Sequence, residues 1–91
     1  MKSFRGKVAA ITGAGSGIGR ALAEELARRG AHLALSDIEE VGLAETVSLC
    51  EGLGIKVTST VLDVADKDAM FAWADQAADE HGDVHLIINN A

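Results

Sequence analysis

Between residues 8 and 20 an apolar run gives way to a glycine-rich turn and then to a helical pattern, and this junction restricts the fold more than any other part of the chain. Val8-Ala9-Ala10-Ile11 is a short continuous apolar run, which reads as a strand buried on both faces. Ile11-Thr12-Gly13-Ala14-Gly15-Ser16-Gly17-Ile18-Gly19-Arg20 carries it into the turn. Glycines without side chains let a backbone come close to a bulky anion. A helix that begins there points unpaired N–H groups and the positive end of its dipole at that anion. The turn is therefore a place for the pyrophosphate of a dinucleotide.

The rest of the chain alternates in the same way. Gly17 to Arg29 reads as a helix, with Ile18, Leu22 and Leu26 recurring at four-residue spacing and Gly30 as its stop. His32 to Ser36 returns to strand character and ends at Asp37. Ile38 to Glu51 reads as a second helix interrupted by Gly42, with Gly52 and Gly54 beyond it. Ile55 to Leu62 reads as a third strand closed by Asp63. Asp66 is placed to cap a helix through Glu80, with Met70, Trp73, Ala74 and Ala77 on one face. Val84 to Ile88 forms a fourth strand that ends in Asn89-Asn90-Ala91. The order β-α-β-α-β-α-β implies a parallel sheet with right-handed crossovers and helices on both faces. The Rossmann-like, dinucleotide-binding version of this arrangement has strand order 3-2-1-4 over this half of a doubly wound fold. The glycine turn, Asp37, Asp63 and Asn90 then all fall at strand C-termini, where such sheets build their ligand crevice.

Bulk properties limit the function classes. Ninety-one residues allow one domain at most. The net charge of −6 argues against a nucleic-acid or anionic-membrane surface. No apolar stretch reaches the ~20 residues of a membrane span, and no signal-peptide core follows Met1. Cys50 is the only cysteine, so no internal disulfide forms, and no cysteine–histidine spacing suggests a metal; a reducing, cytoplasmic setting fits.

The strict G-x-G-x-x-G fingerprint is not met, because the third glycine position holds Ile18. The pattern present is Thr12-Gly13-x-x-x-Gly17-x-Gly19, with Gly15 in addition. Asp37 lies 18 residues after Gly19 (37 − 19), close to the offset expected of the acid that binds ribose hydroxyls. A carboxylate accepts from both hydroxyls of an adenosine ribose and repels a 2′-phosphate. Ser16, before Gly17, offers no cation to neutralise that phosphate. NAD(H) is expected over NADP(H).

With these residues in place the chain resembles the N-terminal, NAD-binding part of a short-chain dehydrogenase/reductase. Thr12–Gly19 is similar to that family's T-G-x-x-x-G-x-G, Leu62-Asp63-Val64 to its adenine-binding D-V element, and Asn89-Asn90-Ala91 to the start of its N-N-A-G element. The resemblance implies that Gly13 to Gly19 hold the pyrophosphate, with Ser16 and Ile18 in close contact. It implies that Asp37 holds the adenosine ribose and that Asp63 and Val64 flank the adenine. Asn90 and Ala91 would line the crevice near the ribose, and Asn90 would steady the fourth strand. It further implies hydride transfer between NAD(H) and an alcohol or ketone, and a homo-oligomer at full length.

Members of that family run to about 250 residues in one α/β domain. Their acid/base chemistry uses a Ser, a Tyr, a Lys four residues after the Tyr, and an Asn on a later helix, the lysine lowering the tyrosine pKa. This chain contains no tyrosine. It reads as a single, incomplete domain over residues 1–91 with no catalytic residue of its own. A non-catalytic dinucleotide-binding module and an interaction fragment stand as alternatives. The fourth strand would present an open apolar edge, which predicts marginal stability or dimerisation through it.

Simpler roles stay open at several positions. Asp37 could cap the second helix, and Asp63, Asn89 and Asn90 could be turn formers. Trp73 is expected to pack between helix and sheet, His32, His81 and His85 to sit on the surface or in strands, and Cys50 to be a small buried residue.

Overall fold

A computed structural model describes residues 4–90. Its elements are β1 (Val8–Thr12), α1 (Gly17–Arg28), β2 (His32–Asp37), α2 (Glu40–Cys50), β3 (Val57–Val61), α3 (Lys67–His81) and β4 (Leu86–Asn89). The strands are all parallel, in the order β3-β2-β1-β4. Parallel neighbours need a crossover between them, and each helix supplies one. The architecture is the Rossmann-like α/β half-sheet that the alternation implies.

Period-two alternation along β1 and β2 divides the apolar residues between two layers. Ala9, Ile11, Leu33 and Leu35 join Ala23, Leu26 and Ala27 of α1 and Leu43 and Cys50 of α2 in one core. Ala10 and Ala34 face the other way, under Trp73 and Ala77 of α3 and beside Leu62. The bulky aliphatics lie beneath two helices. The alanines leave room on the opposite face for the indole of Trp73, which is 6% exposed. No helix among the described residues is long and apolar enough to cross a membrane.

Element boundaries depart from the sequence reading where local hydrogen bonds decide them. The second helix begins at Glu40 and not Ile38, because the Glu39 side chain accepts from the amides of Val41 and Gly42 and so occupies the cap position. The third strand is confined to Val57–Val61, with Ile55 and Leu62 packed on the cores from outside it. The fourth strand is Leu86–Asn89 and not Val84–Ile88, since its register on β1 pairs Ala9 with Leu86 and Thr12 with Asn89. The third helix matches expectation closely: Asp66 caps it by accepting from Ala69 N at 3.0 Å.

The buried stripe of α1 also differs. Ile18 is 71% exposed, and the buried residues are Gly19, Ala23, Leu26 and Ala27. Gly19 is pressed against the end of β1, and this rotates Ile18 outward toward the mouth of the turn.

Candidate functional site

The glycine turn joins the C-terminal end of β1 to α1 at the edge where the ends of all four strands lie. Gly17, the first residue of α1, has φ of +54°, a left-handed conformation that residues with a Cβ rarely adopt. Gly19 serves a different need. A Cβ there would collide with the carbonyl oxygen of Gly13 and come within 2.9 Å of the Asn90 side-chain amide. Helix and strand can approach this closely only with glycine at that position.

The N-terminus of α1 is unlike those of its neighbours. Glu39 caps α2 and Asp66 caps α3 with side-chain oxygens, and each helix has an acid in its first turn. Ser16, at the corresponding position of α1, makes no capping side-chain bond, and the first turn carries no acid. Ser16, Gly17 and Ile18 are exposed. The first amides of α1 are thus left to an external acceptor, with the positive end of the helix dipole behind them.

Asp37 closes β2 beside this turn. One carboxylate oxygen accepts the Gly15 amide at 2.7 Å and the other accepts the Glu39 amide at 2.9 Å. It starts the bend into α2 while Glu39 performs the capping. Two amide bonds leave lone pairs on both oxygens for further donors. Asp63 lies one strand further out, with one carboxylate oxygen accepting from Ala65 N at 2.9 Å. A small cleft of about 60 Å³ between these elements is lined by Gly13, Asp37, Ile38, Leu62, Asp63 and Val64. The exposed side chain of Ile38, outside the sequence-derived set of site residues, forms one lip of it.

On the other flank Thr12 is a buried junction. Its hydroxyl donates to Asn89 Oδ1 at 2.9 Å and accepts from the Asn90 amide at the same distance. Asn90 Nδ2 donates to Gly13 O at 3.4 Å, which ties the end of β4 to the start of the turn. Ala91 lies outside the described residues. The turn, Asp37, Asp63, Val64 and Asn90 thus lie along one sheet edge.

Two further residues brace this edge. Arg20 on α1 donates to Gly15 O, Gly42 O and Thr46 Oγ1, and Thr46 on α2 donates to Ala14 O at 2.7 Å. The available signal was Thr46 itself, a polar residue in the buried stripe of Leu43 and Cys50. The histidines lie elsewhere: His32 Nδ1 accepts from Lys56 N, His85 Nδ1 from Val8 N, and His81 Nε2 meets Thr58 Oγ1. Cys50 is fully buried, and burial pushes its thiol pKa up, with Glu24 adding to the effect.

The family model described as short chain dehydrogenase matches residues 7–91. SadH of Mycobacterium tuberculosis is 56% identical over 91 residues, which are all of this chain and 33% of that protein. The crystal structure of an NAD+-bound xylitol dehydrogenase superposes with a TM-score of 0.95 at 34% identity, covering 99% of this chain and 35% of the other. A short-chain dehydrogenase/reductase from Burkholderia phymatum in complex with NAD gives 0.89 at 46% identity, covering 96% and 31%. The chain spans about a third of the length of the relatives it matches. With a family model that matches residues 7–91 and solved relatives that superpose on nearly all of the described fold, the chain belongs to the short-chain dehydrogenase family.

Proposed function

We propose that residues 1–91 form one dinucleotide-binding domain, incomplete by comparison with its relatives, that holds NAD(H) in preference to NADP(H). It would do so as the cofactor-binding part of an oxidoreductase acting on an alcohol or carbonyl substrate. The observation that carries this reading is the uncapped N-terminus of α1, open on the same edge as the Asp37 carboxylate. A pyrophosphate supplies the acceptors that the first amides of α1 lack. The lone pairs left on Asp37 suit the two hydroxyls of an adenosine ribose, and its charge opposes a 2′-phosphate. The cleft beside Asp63 and Val64 suits the edge of an adenine, with the Asp63 carboxylate as acceptor for an exocyclic amine. Thr12, Gly13, Gly15, Gly19 and Asn90 shape the backbone around these contacts. Ser16, Gly17 and Ile18 stand at the mouth, and Ala91, next in sequence to Asn90, is assigned to the same cofactor set. When bound, the nicotinamide supplies the hydride chemistry; the residues of this chain bind and orient. A homo-oligomer at full length, and a cytoplasmic setting suited to the single thiol of Cys50, belong to the same reading.

Calorimetric titration with NADH and, separately, NADPH tests this reading. Saturable binding that favours NADH supports it, and a folded chain that binds neither cofactor overturns it.

A further inference from the structure

We infer that Arg20, with Gly42 opposite it, is a positioning residue for the glycine turn, acting through the Gly15 peptide and not by touching the phosphates. The inference rests on the reading that the turn holds a dinucleotide.

Gly15 is buried, and its peptide groups are gripped from two sides. Its N–H donates to Asp37 Oδ2 at 2.7 Å, and its carbonyl accepts from Arg20 Nη2 at 2.6 Å. The same guanidinium donates to Gly42 O at 3.0 Å, to Thr46 Oγ1 through Nε at 2.9 Å, and reaches Glu45 at 3.3 Å. A planar fork bound to acceptors on the turn and on α2 together holds one orientation only. Thr46 continues the brace by donating to Ala14 O. Two consecutive peptides of the turn, Ala14 and Gly15, are thereby held by side chains from α1 and α2.

Gly42 answers a need of the same brace. Glycine inside a helix is unfavourable, yet α2 contains one in its first turn. A Cβ at that position would stand 2.5 Å from the Gly15 carbonyl oxygen. The residue that interrupts the helical pattern in the sequence is therefore the one that lets α2 close on the turn. The bonds of Arg20 run from Nε and Nη2 to Thr46, Gly15, Gly42 and Glu45, all of them protein groups, so the role inferred for it is indirect: it fixes the backbone whose amides would do the binding. Positions held in this way avoid the ordering cost that a loose loop incurs on binding.

The test compares the native chain with Arg20→Met, Arg20→Lys and Gly42→Ala. Amide hydrogen exchange and NADH titration are both measured well below the melting temperature. Arg20→Met should speed exchange across residues 13–19 while β1 and β2 amides keep their protection, and NADH affinity should fall roughly ten-fold. Arg20→Lys, which restores a donor for one carbonyl, should recover part of both effects. Gly42→Ala should reproduce them with Arg20 intact, and it carries the test if Arg20→Met does not fold. Unchanged exchange in the turn overturns the inference. So does a uniform rise across the sheet with unaltered NADH affinity, which would make Arg20 a stabiliser of the fold alone. If the native chain binds no NADH, the cofactor reading fails, and the exchange data still decide whether the brace exists.

Discussion

The carboxylate of Asp37 accepts the Gly15 amide at 2.7 Å, so the acid that ends β2 also holds the turn that follows β1. On the proposed reading, recognition of a ribose and shaping of a phosphate loop would meet on this one side chain. Asp37→Ala should lower NADH affinity by about 1.5–3 kcal/mol and narrow the gap between NADH and NADPH. Asp37→Asn keeps an oxygen for the Gly15 amide but loses the charge. It should retain more of the melting temperature than Asp37→Ala while losing the bias against NADPH. Paired titrations and melts of the three proteins check this; equal affinities throughout would leave Asp37 as a turn former.

Gly19→Ala places a methyl group against the Gly13 carbonyl and the Asn90 amide. Backbone is the obstacle, so the cost is a displaced helix and not a rotated side chain. We expect a loss of about 2 kcal/mol or more in urea denaturation. Because α1 must move away from the end of β1, NADH binding should fall as well. A native midpoint with the alanine in place would show that the helix shifts freely.

His81 makes the stability depend on pH. Burial, then the nearby charge of Lys56, holds its pKa below the ordinary 6.5, with a smaller push from His32 and an opposing pull from Glu80. Thr58 Oγ1 lies 2.9 Å from its Nε2. A histidine whose folded pKa is depressed takes up its proton more readily in the unfolded chain. Its stabilising contribution is complete above 6.5 and falls as pH drops from there through the folded value. The bond to Arg29 lowers the pKa of Glu25 from 4.5, so the contribution of that pair is present above 4.5 and is lost as pH falls from there. Denaturation midpoints from pH 8 to pH 5 should slope downward in the native chain and flatten between pH 7 and 5 in His81→Gln. Parallel slopes would remove His81 from the account.

At the opposite end of the sheet from β3, β4 pairs only with β1 among the described residues. Ile87 on this strand is 72% exposed and Phe71 on α3 is 71% exposed. Between them runs an apolar groove of about 320 Å³ that includes Trp73, Met70 and Val84. An open strand edge beside such a groove favours association. Sedimentation of the isolated chain should show a concentration-dependent increase in mass, which Ile87→Lys suppresses. A monomer across the accessible range would count against it.

Much of this was legible from the residues. The strand-to-helix turn and the acid at the end of the second strand are properties of short segments, and periodicity with glycine punctuation carries them. What escaped the sequence depends on how segments meet. Ile18 falls in a regular four-residue series, yet it turns outward because Gly19 must lie against β1. Glu39, not Asp37, caps α2, a choice made by side-chain geometry after the strand ends. Arg20 and Thr46 meet although 26 positions separate them. Gly42 interrupts the helical pattern in the sequence, and the reason lies in the Gly15 carbonyl that faces it from the turn.

The division of the core into two layers gives each layer its own probe. Trp73, the single tryptophan in a chain without tyrosine, lies in the layer beneath α3. Cys50, the single thiol, lies in the layer beneath α1 and α2. The emission of the indole reports whether α3 stays seated on its alanine floor. The rate at which a disulfide reagent reaches Cys50 reports whether the pair of helices flanking the glycine turn has opened. One untagged molecule, warmed slowly in a cuvette, can thus reveal whether its two faces come apart together or one before the other.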